Sequence, residues 1–236
     1  MLTKSPCPLE FASTTLANAA VIGNAGRSIG YSTAATTCLN ERRFGGIGAS
    51  TLSVFSAASN DHDPIVLVDA DDIPQGVAPK IEVHRRGLKH RALSVLVRNR
   101  AGDMLVHRRN PEKYHSGGLW TNACCSHPRP NEPAGEAAQR RLAEEMGIRC
   151  DVKPLFIARY RAAVSNGFIE DEVVHAFGGT YDGPVVPDPA EVSEWKWMLL
   201  SELADDLISR PELYTIWFRH YFREHDDAIA AWMRCG

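Results

Sequence analysis

From about residue 63 onward, apolar positions fall into short runs separated by turn residues. Ile65, Val66, Leu67 and Val68 form a strand-type run, and residues 69–75 read as the turn that follows. Leu93, Ser94, Val95, Leu96 and Val97 form a second strand, closed by the turn Asn99-Arg100-Ala101-Gly102-Asp103. Met104 and Val106 then start the return strand of a hairpin, and residues 113–118 read as loop. Past Asn131, Glu132 and Pro133 the period changes. Ala134, Ala137, Ala138, Leu142 and Met146 recur at helical spacing, and Gly147 supplies a stop. Residues 155–163 and 173–180 return to strand patterns, joined across Ser165-Asn166-Gly167, and residues 194–199 add another with Trp195 and Trp197 on one face. Ser201-Glu202-Leu203 caps a short helix, and residues 211–233 read as a helical end with its aromatics on one face. The order predicts an α+β fold, a mixed β-sheet sandwiched by helices.

Residues 1–60 differ. They are rich in Ala, Ser, Thr and Gly, and Glu10 and Glu41 are their only acids. They read as a disordered leader ahead of a domain over 61–236, or as an organelle transit peptide, whose Ser-rich, acid-poor composition they share. A secretory signal fits poorly, because Pro6, Pro8 and Glu10 follow Lys4, and Asn18 and Asn24 interrupt the candidate apolar core.

The chain's 236 residues suffice for one sizeable domain with an appendage. A net charge of -3 argues against general nucleic-acid binding, yet leaves room for a local basic pocket. No apolar run approaches the roughly 18 residues a membrane span needs, so no membrane partner is expected. Cys7, Cys38, Cys124, Cys125, Cys150 and Cys235 are too scattered for a disulfide scaffold, which favours a reducing compartment.

Two clusters suggest chemistry. On the helix after Pro133, Arg140, Glu144 and Glu145 fall within a turn and a half, where carboxylates can share a hard cation. The same run also suits a solvated face with i,i+4 pairs such as Arg141 with Glu145. Further along, Cys125 and His127 lie two apart and share a face if extended, as do Glu170 and Glu172. A buried cysteine alone is usually a small hydrophobe. With His84 and His90 added, three imidazoles and two carboxylates could fill a near-octahedral site suited to Mn²⁺, Zn²⁺ or Fe²⁺. His115, His175, His220 and His225 show that histidine is not rare here, so the constellation carries the reading rather than any one ring.

Glu132, Arg140, Glu144, Glu145 and Gly147 resemble the Nudix box, with Ser126 in place of its first glycine. Arg141 stands where the box has a metal-binding glutamate, which implies a Nudix-like fold that has lost hydrolysis and kept diphosphate binding. A wider set is similar to the type I isopentenyl-diphosphate isomerases: His90-Arg91-Ala92-Leu93-Ser94-Val95, Trp120-Thr121-Asn122, Cys124-Cys125-Ser126-His127-Pro128, Arg140-Arg141-Leu142 and Glu170-Asp171-Glu172. This resemblance spans roughly residues 64–220 and implies interconversion of isopentenyl and dimethylallyl diphosphate. It implies Cys125 as one acid/base, with Glu172 beside Tyr160 as the other. His84, His90, His127, Glu170 and Glu172 match the family's metal ligands, for Mn²⁺ or Zn²⁺, and Glu145 the residue that holds Mg²⁺ on the substrate diphosphate. Lys80, Arg109, Lys113 and Arg141 match the cationic diphosphate binders, and Trp217 an aromatic that shields a carbocation. The alternatives are a Nudix hydrolase and a non-catalytic Nudix-like binding module. Arg141 opposes the first; the intact set Cys125, His127, Glu170 and Glu172 opposes the second. The expected partner is a small-molecule diphosphate bound by a monomer, in the cytoplasm, or in a plastid-type organelle if the leader is a transit peptide.

Overall fold

The computed structural model describes residues 63–234, so the reading of a leader over residues 1–60 lies outside the described residues. Nine strands and five α-helices follow in the order β1 (Pro64–Val68), β2 (Pro74–Pro79), α1 (Lys80–Arg86), β3 (His90–Arg98), β4 (Asp103–Arg109), β5 (Trp120–Thr121), β6 (Cys124–Ser126), α2 (Ala134–Met146), β7 (Val152–Ala163), β8 (Ile169–Thr180), β9 (Val192–Leu199), α3 (Leu200–Ser209), α4 (Ile216–Glu224) and α5 (Asp226–Arg234). The strands join in one mixed sheet. β3 lies at its centre, parallel to β8 and antiparallel to β1, β4 and β6.

Strand alternation sorts the core into two layers. Leu93, Val95 and Val97 of β3 face α2, packing with Ala137, Ala138, Leu142 and Met146. Ala92 and Leu96 face the other way, toward Leu203 of α3, Trp217, Phe218 and Tyr221 of α4 and Ile229 of α5. Burying side chains such as Leu142 and Met146 stabilises the fold by about 1.5–3 kcal/mol each. Helix α2 ends at Gly147, whose φ of 67° is left-handed; a Cβ there would also meet the Val186 carbonyl oxygen at 2.5 Å.

Two local expectations change, and two elements go beyond the sequence reading. Residues 69–75 are not all turn, since Pro74 and Gln75 already belong to β2. Helix α1 and most of β2 had no reading in the sequence. Ser201 does not cap α3: the N-cap is Leu199, and no side chain bonds the helix end.

Candidate active site

Sheet register builds the site. Across β7, β8 and β3, Tyr160 pairs with Glu172 and Glu172 with His90, so three chemically active side chains form one row. Four residues along β3, on the same face, Ser94 pairs with Cys125 of β6. Alternation then sends Cys124 into the α2 layer and Cys125 into the α4 layer.

Tyr160, Glu172 and Cys125 line one cleft. Its walls include Lys80, His84, Arg109, Lys113, Cys125, His127, Arg141, Glu145, Tyr160, Glu170, Glu172 and Trp217. Every site residue expected from the sequence is therefore on the wall except His90, which is fully buried but contacts the same carboxylates.

His84, His90 and His127 converge on Glu170 and Glu172 with their Nε2 atoms unpaired. His84 Nδ1 bonds the Lys80 carbonyl at 2.7 Å and His90 Nδ1 the Leu88 carbonyl at 2.8 Å. A carbonyl only accepts, so Nδ1 carries a hydrogen in both rings and Nε2 is the nitrogen left facing the carboxylates. Burial takes His127 down to about 3, so this ring is neutral, while the Glu172 and Glu170 carboxylates hold His90 above its ordinary value despite its burial. His84 Nε2 lies 3.3 Å from Glu170 Oε2; His90 and His127 Nε2 lie 3.3 and 3.4 Å from Glu172 Oε1. Seven buried side-chain polar atoms lack a hydrogen-bond partner among the described residues, and four of them meet here: His84 Nε2, His90 Nε2, His127 Nε2 and Glu170 Oε2. Unpaired ring nitrogens and carboxylate oxygens packed this closely repel unless a proton or a metal cation lies between them. The donor set thus fits a divalent metal ion, and ligand atoms of His84, His90, His127 and Glu172 all lie within 4.8 Å of one another.

The proton-transfer candidates are also held. Asn122, fully buried, accepts the Cys125 thiol hydrogen at 3.1 Å and donates to Ser94 Oγ at 2.9 Å; Ser94 Oγ lies 3.3 Å from Cys125 Sγ. This closed ring fixes the thiol. Burial pushes Cys125 up to about 11, against the Ser94 and Asn122 bonds, so it is protonated at neutral pH. Tyr160 donates to Glu172 Oε2 at 2.6 Å, and burial, then the Glu172 charge, keeps the phenol well above its ordinary value.

At the other end, cations and acids interleave. Arg141 bonds Glu145 at 2.6 Å and Glu144 at 2.7 Å, so the helix-face pairing is present even though Arg141 also faces the cleft. Lys113 pairs with Glu191 at 2.6 Å, Arg109 lies 5.3 Å from the centre of the Trp217 ring, and Lys80 sits 5.4 Å from that of Tyr114. Arg140 holds Glu132 through two 2.7 Å bonds, which removes both residues from the cleft chemistry.

A NUDIX domain model matches residues 88–218. An isopentenyl-diphosphate Delta-isomerase from Aromatoleum aromaticum is 48% identical over 155 residues, covering 66% of this chain and 82% of that relative. The chain belongs to the NUDIX isopentenyl-diphosphate Delta-isomerases. A second member of the family, from Burkholderia multivorans, is 46% identical over 65% of this chain and 88% of its own length. A solved structure from Deinococcus radiodurans superposes with a TM-score of 0.56 at 16% identity, covering 68% of this chain and 98% of that one, a likeness of fold alone.

Among the buried or half-buried cleft residues, His115, Glu191 and Tyr221 had no role in the sequence reading. His115 and Glu191 lie outside regular elements, where no periodicity points inward. Tyr221 is one of several aromatics on α4, of which Trp217 alone was singled out in the sequence and the rest read as a packed face.

Proposed function

We propose that the chain interconverts isopentenyl and dimethylallyl diphosphate, with Cys125 and Glu172 as the acid/base pair. The observation behind this is that a fixed, protonated thiol and a Tyr160-bonded carboxylate line one aromatic-walled cleft. One group delivers a proton to the alkene and the other removes a proton from the neighbouring carbon; the roles exchange when the reaction reverses. Between the steps the substrate is a tertiary cation. The Trp217 face stabilises that charge without attacking it, while Tyr160 and Tyr221 help keep water out. Lys80, Arg109, Lys113 and Arg141 bind the diphosphate.

His84, His90, His127, Glu170 and Glu172 would hold a divalent metal, Mn²⁺ or Zn²⁺, and Glu145 would hold Mg²⁺ on the diphosphate. An ion in the first site supplies fixed positive charge that sets the acidity of Glu172. The reading includes a monomeric enzyme confined to residues 61–236 and working in the cytoplasm. Cys124, Cys125 and Cys150 are free, which suits a reducing compartment, and no helix of the described residues is long and apolar enough to cross a membrane. The plastid-type alternative depends on the leader, outside the described residues. Incubation with isopentenyl diphosphate and Mg²⁺ tests the function: dimethylallyl diphosphate supports it, released phosphate indicates a hydrolase, and no product indicates a binding module.

A further inference from the structure

We infer that His115 is a positioning residue for the ion site, holding Glu170 so that only one of its carboxylate oxygens faces the imidazoles. This rests on the metal reading above and goes beyond it by giving a role to a residue outside the ligand set. His115 Nε2 lies 3.0 Å from Glu170 Oε1, while Glu170 Oε2 is the oxygen that lacks a hydrogen-bond partner and faces His84. Both residues are almost fully buried. An ionised carboxylate only accepts, so Nε2 donates, and His115 Nδ1 is left to accept from the Ser116 hydroxyl at 3.2 Å.

The absence of a partner distinguishes ligands from supports. Nε2 of His84, His90 and His127 is unpartnered; Nε2 of His115 is already spent on Glu170. A ring that looks like a fourth imidazole ligand is thus better read as the group that aims a carboxylate.

The surroundings support this. The loop carrying His115 is tied to the β7–β8 hairpin that carries Glu170: Ser116 N–H donates to Ser165 Oγ at 2.8 Å and Asn166 Nδ2 to the Tyr114 carbonyl at 2.8 Å. Ser116 adopts a φ of 52°, an uncommon conformation for a side-chain-bearing residue. The hydrogen bonds fix both ends of the His115–Glu170 contact. Partners that orient a metal ligand typically contribute about 10–100-fold in affinity.

The test compares His115→Gln, whose amide nitrogen can reach where Nε2 lies, with His115→Asn, whose amide cannot. Full-length chains are stripped with chelator and titrated with Zn²⁺ against a chromophoric competitor. The expected result is a dissociation constant raised about 10–100-fold in His115→Asn and near the unsubstituted value in His115→Gln, with the two metal-free variants melting together. If His115→Asn does not fold, His115→Met, which has no donor, takes its place with the same expectation. Unchanged affinity in the donor-less variant overturns the inference. So does equal loss in both variants, which would make the imidazole itself a ligand. Failure of the unsubstituted chain to bind Zn²⁺ tightly would overturn the ion site and this inference together, an outcome distinct from the other two.

Discussion

Tyr160 gives its hydroxyl hydrogen to Glu172 Oε2 at 2.6 Å, directly across the β7–β8 register. The bond fixes one carboxylate oxygen, while Oε1 faces His90 and His127. Tyr160→Phe removes the bond and little volume. We predict a fall in kcat of about 10²-fold, the lower range for acid/base participation, with KM nearly unchanged. Steady-state kinetics check this; a variant with the parent kcat would leave Tyr160 as wall only.

Cys125 and Cys124 are adjacent but face different layers. Cys125→Ala should lower kcat by about 10²–10⁴-fold. Cys124→Ala should keep most activity and cost roughly 1 kcal/mol of stability through lost packing. Paired rate and denaturation measurements decide; the reverse pattern of activity would refute the assignment of the thiol.

Lys80 carries a pH prediction. Burial, then the positive charge of Lys113, holds it down to about 8 in the free protein. The charged form is therefore present below that pH and lost above it, and diphosphate binding should weaken on the alkaline side. We expect kcat/KM to fall above about pH 8 and the Lys80→Arg variant to remain flat to higher pH, because an arginine keeps its charge. The same alkaline fall in Lys80→Arg would remove Lys80 as its cause.

Arg141→Glu replaces a cation on the cleft wall and sets an acid beside Glu144 and Glu145. Losing a charge-assisted phosphate contact costs about 1.5–3 kcal/mol, which predicts KM for isopentenyl diphosphate raised at least tenfold. Calorimetry should show stronger Mg²⁺ binding. An unchanged KM would confine Arg141 to its helix pairing with Glu145.

Deleting residues 1–60 should leave an active enzyme, because every proposed site residue and both core layers fall within residues 63–234. Activity and melting temperature of the shortened chain are the measurements. A clear loss in either would place part of the working unit in the leader.

Legibility in the sequence followed the strength of local signals. Helix α2 was readable because Ala137, Ala138, Leu142 and Met146 repeat at helical spacing and Gly147 ends them. The central strand β3 was readable as an apolar run, but its partners were not: nothing local says that His90 pairs with Glu172 or Ser94 with Cys125. Helix α1 has seven residues, too few to establish a period, and its buried positions are Val83 and His84. Strand β2 escaped because Pro74, Gly76 and Pro79 are turn residues on an exposed edge, where proline is tolerated. The candidate site was legible through Cys125-x-His127 and Glu170-x-Glu172, whose spacing of two survives any register. His115 was not, because its role depends on a loop-to-hairpin tie that only the folded chain makes.

The most direct test of the account is proton NMR of isopentenyl diphosphate incubated with the full chain and Mg²⁺ in D₂O. Protonation of the alkene by an enzyme group predicts dimethylallyl diphosphate with solvent deuterium in a methyl group, an intact diphosphate, and formation slowed about 10²–10⁴-fold in Cys125→Ala. Release of phosphate, or dimethylallyl diphosphate formed without any solvent deuterium at long incubation, would contradict it.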